Sequence, residues 1–301
     1  MEVILSLLSD YTFRTVALGA GILGIISGVL GSFSVLRKQS LLGDGVSHSA
    51  LPGVVAAFLI TGSKRTEILL LGALISGALS VFIIINIVKY SRVKFDSALA
   101  LIMSVFFGLG MVLLTYSQKI PNANQAGLNR FIFGQASTLL KQDVLLMTIG
   151  GGILLILVAL FWKEFKILSF DSEFAMSIGF PVKKLNLMLS FMTVIGIIMG
   201  LQTVGVILMS AMLIAPAAAA RQWTNKLHRM VIISASFGAF SGFSGTVASS
   251  MFSKMPTGPC IVIAASIIVL ISVLFSPLRG LIPAYYRQKR QKGGNLNDSA
   301  A

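Results

Sequence analysis

The sequence predicts an all-α protein, a polytopic transmembrane helical bundle of about eight or nine spans. Three observations carry that prediction. Hydrophobic residues make up 55% of the 301 positions. Charged residues make up 11%, against about 25% in an ordinary soluble domain, and the mean hydropathy is +0.90. Apolar runs also recur along the whole chain near the roughly 20 residues needed to cross about 30 Å of hydrocarbon.

Taken in order, nine runs qualify: 14–36, 40–61, 67–89, 96–116, 143–162, 186–200, 203–220, 227–251 and 258–278. The first follows Glu2 and Asp10 with no early positive cluster, so it is expected to stay as a span and not to be cleaved as a leader. The second carries Asp44, His48 and the Pro52-Gly53 pair. The third to fifth are uninterrupted. The sixth and seventh are short and read as broken or re-entrant segments, which are tolerated only where protein or a cavity lines them. The eighth and ninth again have full length, and the last contains the single cysteine, Cys260, expected to be a small buried residue. Residues 1–285 form one membrane domain, and 286–301 a polar, disordered cytoplasmic tail.

The net charge of +14 might suggest nucleic acid, but the basic residues sit between apolar runs without aromatic interleaving, so no nucleic-acid partner is expected. Lys and Arg in the connections instead set orientation. With the N-terminus outside and the C-terminus in the cytoplasm, 17 of the 24 basic residues fall inside and 7 outside. The Lys64–Arg65 pair runs against this bias. One cysteine allows neither an internal disulfide nor a Cys–His zinc site. Gly24 and Gly28, Gly196 and Gly200, and Gly238 and Gly242 are spaced four apart and read as close helix packing within the bundle. The 13 methionines read as gap filler.

Two ionisable residues fall well inside a span. They are Asp44 and His48 of Leu41-Leu-Gly-Asp-Gly-Val-Ser-His-Ser-Ala-Leu-Pro-Gly53. A spacing of four puts both on one helix face. A carboxylate and an imidazole suit a divalent first-row metal, and an acid at bilayer centre costs about 2.5–3.5 kcal/mol on insertion scales. Two other readings stay open: Asp44 as N-cap of a helix starting at Gly45, and His48 as its hydrogen-bond partner and nothing more. Two ligands are too few for a full site, and a two-fold dimer axis along the pore would supply four. His228 reads as a solvated loop histidine. The 163–185 segment contains Phe170-Asp-Ser-Glu-Phe-Ala-Met-Ser-Ile-Gly-Phe-Pro181, the pattern of a short amphipathic helix that either packs at the membrane surface or docks on a partner. The chain holds no Gly-x-x-x-x-Gly-Lys-Ser/Thr loop, so ATP hydrolysis must come from another chain. It holds no His-Glu-x-x-His helix and no second intramembrane acid for a protease dyad.

Four elements in order resemble one family. They are the Leu36–Gly53 stretch, Phe131-Ile-Phe-Gly134, Val204–Arg221 with its Pro216 and Ala-Arg ending, and Pro256-Thr-Gly-Pro259. Over residues 15–278 the chain is similar to the ABC-3 permeases of manganese, zinc and iron importers. That resemblance implies a permease and not an enzyme, paired with a second copy and bound to two cytoplasmic ATP-binding subunits. It implies an extracellular metal-binding lipoprotein that delivers the ion, and a plasma-membrane location. No permanently bound cofactor is implied, only the transported metal. Asp44 and His48 match the family's intramembrane acid and histidine on the metal path. Asp171, Glu173, Ala175 and Gly179 fall at the position of the helix that couples to the ATPase. Two histidines, where zinc systems tend to carry His-rich loops, favour manganese over zinc or iron. The alternative from another class is a proton-coupled secondary metal transporter with Asp44 and His48 as a relay.

Overall fold

The computed structural model describes residues 10–63, 65–119, 134, 139–251 and 255–285. The expectations for residues 1–9, for Phe131–Phe133 and for the 286–301 tail lie outside the described residues. The described elements are all helices: α1 (Tyr11–Leu36), α2 (Leu42–Thr61), α3 (Thr66–Tyr90), α4 (Phe95–Gln118), α5 (Lys141–Leu160), α6 (Trp162–Phe170), α7 (Ser172–Ser177), α8 (Val182–Val204), α9 (Val206–Trp223), α10 (Leu227–Met251) and α11 (Thr257–Phe275). Among them, eight are long and apolar enough to cross a membrane, namely α1–α5, α8, α10 and α11. Helix α9 is a ninth long helix, packed against α1, α2, α10 and α11.

Small residues set how closely these helices approach. A β-carbon at Gly24 would lie 2.1 Å from the carbonyl oxygen of Gly238, and one at Gly28 would lie 2.5 Å from that of Ser234. The α1 and α10 backbones therefore touch, and the Ser234 hydroxyl donates across the seam to the Gly28 carbonyl at 2.8 Å. A second seam joins α2 to α3, where a β-carbon at Gly53 would meet the Gly72 carbonyl oxygen at 2.0 Å. There the Ser76 hydroxyl donates to the Ser49 carbonyl at 2.6 Å. Backbone contact with a crossing hydrogen bond replaces the hydrophobic drive that lipid removes.

The short sixth run is corrected, and the seventh keeps its expected length. Helix α8 has 23 residues and α9 has 18. The sixth run looked short because Lys183 and Lys184 mask its first turn. Gly196 faces Leu30 and Gly200 faces Leu23, so α8 runs antiparallel to α1. Helix α9 returns alongside α1, with Leu213 against Gly31 and Ala217 beside it. The expected break is real but small. It is the single residue Gly205, at φ 86°, where only glycine sits without strain. Gly134 closes over this turn, because a β-carbon there would lie 2.4 Å from the Val204 carbonyl carbon.

These directions give the bundle two chemically different ends. The connections after α1, α3, α5, α9 and α11 share one end and hold Arg37, Lys89, Arg92, Lys166, Lys226 and most other described basic residues. Only Arg14, Arg65, Lys119 and Lys141 of the described basic residues mark the other end. At the basic end Lys38 turns the chain from α1 into α2 with φ 57°. Desolvation lowers the neighbouring Arg37 to about 10, which leaves it charged at neutral pH.

Candidate metal site

Helix α2 starts at Leu42, with Leu41 as an N-cap that makes no side-chain bond. Asp44 is thus the third helical residue and not the N-cap, which removes one sequence reading. The glycines on either side explain where it points. A β-carbon at Gly43 would strike Leu213 of α9 at 2.9 Å, and one at Gly45 would strike Leu99 of α4 at 2.9 Å. Both neighbours pack tightly, and Asp44 takes the remaining, half-open face.

Asp44 Oδ1 lies 3.5 Å from His48 Nε2, with the side chains 35% and 21% exposed. The spacing of four thus brings the two groups together as expected. Phe107 of α4 meets the imidazole edge-on, with ring centroids 4.9 Å apart at 88°. His48 Nδ1 is buried and has no hydrogen-bond partner. Ser210 of α9 stands beside this turn of α2, its Cα 3.5 Å from where a β-carbon on Gly43 would lie. Pro52 has no N–H to give to the His48 carbonyl four residues earlier, yet α2 continues to Thr61. One chain therefore presents a carboxylate and an imidazole on one open face, with Ser210 of α9 next to them, donors of the kind that divalent first-row cations accept. Ser210 and Phe107 carry no sequence signal of their own, because only the packing of α4 and α9 against α2 brings them in. Among the described residues, no three His, Cys, Asp or Glu side chains come together.

The other predicted residues lie elsewhere, at the basic end. Asp171 caps α7, its Oδ1 accepting from the Phe174 N–H at 2.8 Å. Gly179 ends that turn at φ 87°. Glu173 is exposed, but Ala175 is 1% exposed and turns into the chain's own packing. It seats the helix and is not a free contact. What α7 and its two flanks offer outward is a set of residues that the sequence reading passed over: Phe170 at the end of α6, Phe174 and Met176, each 54% exposed, and Ile178 at 48%. His228 lies in the first turn of α10 and stands apart from Asp44 and His48.

Comparison with known proteins agrees with this architecture. The model of the ABC 3 transport family matches residues 9–276. A zinc transport system membrane protein, TroC of Treponema pallidum, is 47% identical over 96% of this chain and 97% of its own length. A manganese transport system membrane protein, MntC of Bacillus subtilis, is also 47% identical, over 90% of this chain and 62% of its own length. Among solved structures, PsaBC from Streptococcus pneumoniae in complex with Fab superposes with a TM-score of 0.82 at 31% identity, covering 96% of this chain and 99% of that one. The chain belongs to the ABC 3 transport family and is a multi-pass membrane permease, not an enzyme, whose ATP hydrolysis lies in a separate subunit.

Proposed function

We propose that the chain is the permease of an ATP-driven importer for a divalent transition metal, manganese first, in the plasma membrane. The observation that carries this is the Asp44–His48 pair, 3.5 Å apart on a half-open face of a membrane helix. Such groups are expensive in hydrocarbon and mark ion paths. One chain offers too few ligands for a complete shell, so a second copy is needed, with two Asp44 and two His48 around a two-fold axis. The names of the relatives support the cargo: TroC is a zinc protein, and MntC of Bacillus subtilis and of Listeria monocytogenes are manganese proteins. The charge bias of the two ends supports an outside N-terminus and a cytoplasmic C-terminus. In that orientation α7 faces the cytoplasm, where two ATP-binding subunits receive it around Asp171, Glu173 and Gly179. A metal-binding lipoprotein delivers the ion at the opposite end. The metal is held by few contacts, so that it can leave again.

The test is reconstitution with the cognate ATPase and binding protein in proteoliposomes. Uptake of manganese should require ATP and persist without a proton gradient. Asp44→Ala and His48→Ala should each lower uptake at least about tenfold while the complex stays assembled. Normal uptake by either variant would end the site assignment, and uptake that follows the proton gradient would favour the secondary transporter.

A further inference from the structure

We propose that a shallow cavity at the basic end, between α6 and the start of α10, binds the phosphate head group of an anionic phospholipid. The cavity encloses about 340 Å³. Its charged and polar lining consists of Lys166 from α6, Asn225 and Lys226 from the α9–α10 connection, and His228 from the first turn of α10. No carboxylate lines it, and among the described residues neither lysine is in an ion pair. The Asn225 side-chain oxygen Oδ1 accepts from the Arg279 guanidinium at 3.1 Å. That contact leaves the amide NH2 as the group that Asn225 can donate, and it adds a guanidinium at the rim. The first turn of α10 contains no acidic residue. The cavity therefore offers two ammonium groups, an amide NH2 and an imidazole with no carboxylate among its lining, an arrangement that suits a phosphate diester.

A soluble phosphate shares this chemistry. The position of the cavity favours the lipid. Trp162 follows the end of α5 by two residues, and Leu227 is the first residue of α10, so the cavity sits where two spans leave the hydrocarbon. Head groups occupy that level, and basic pockets between spans recognise them. Trp162 and Phe170 give the cavity an apolar wall, which suits the glycerol and first methylenes of a lipid and offers nothing to a free ion. Trp162 also stands where aromatic side chains anchor spans at the interface.

The test is native mass spectrometry of the full chain in an uncharged detergent. Phosphatidylglycerol and phosphatidylcholine with the same acyl chains are supplied in equal amounts. The wild type should retain phosphatidylglycerol with roughly tenfold preference. Lys166→Gln with Lys226→Gln should bring the two lipids close to parity, and Arg92→Gln with Lys94→Gln, outside the cavity, should not. If the first double variant fails to fold, His228→Asp serves in its place, because it adds an acid while keeping both lysines. Equal retention of the two lipids by the wild type would overturn the proposal. So would an unchanged preference in the cavity variants, or displacement of the lipid by inorganic phosphate at constant ionic strength.

Discussion

At the residue scale, the site turns on what surrounds Asp44. Gly43 and Gly45 have no side chains because Leu213 and Leu99 occupy those directions. The sequence showed Asp44 and His48 plainly, because ionisable groups stand out in an apolar run. It did not show Ser210 or Phe107, because a serine and a phenylalanine in membrane helices are unremarkable until tertiary packing places them. Ser210→Ala should raise the KM for metal uptake up to about tenfold with kcat less affected, as outer groups that orient ligands do. Ser210→Thr should restore it, and the two kinetic constants in proteoliposomes check both.

At the element scale, helix termini and seams give the sharpest expectations. Asp171 holds the first turn of the six-residue α7. Asp171→Ala removes a cap worth about 1 kcal/mol, so α7 should fray and ATP-driven uptake should fall, while metal binding at Asp44 stays unchanged. Metal binding measured beside uptake separates these effects. Gly24→Val would place a side chain against the Gly238 carbonyl and force α1 from α10. An overpacked contact of this kind costs about 1–3 kcal/mol, readable as a lower Tm in detergent. Gly21→Ala on the same helix meets nothing within 4 Å and should leave the Tm nearly unchanged. Seven of the nine apolar runs were legible as full spans, because hydropathy needs no tertiary information. Helix α8 was misjudged because its first turn carries Lys183 and Lys184, which a hydropathy reading takes for a loop.

At the scale of the whole molecule, α2, α3 and α4 pack together, and α1, α9, α10 and α11 form a second group. Pairing is the expectation that belongs to this scale. In a complex with one wild-type and one Asp44→Ala permease, joined as a tandem fusion, uptake should fall nearly as far as with two mutated copies. Retention of half the uptake would mean that each copy carries metal by itself. The polar site lies on the boundary between the two groups, with Asp44 and His48 on α2 and Ser210 on α9. Backbone-to-backbone seams stiffen each group from within, so any relative movement in transport is expected at that boundary. A carboxylate and a hydroxyl attached to different rigid pieces part company when the pieces slide. If the proposed site holds a cation, its grip is thus tied mechanically to the shape of the protein.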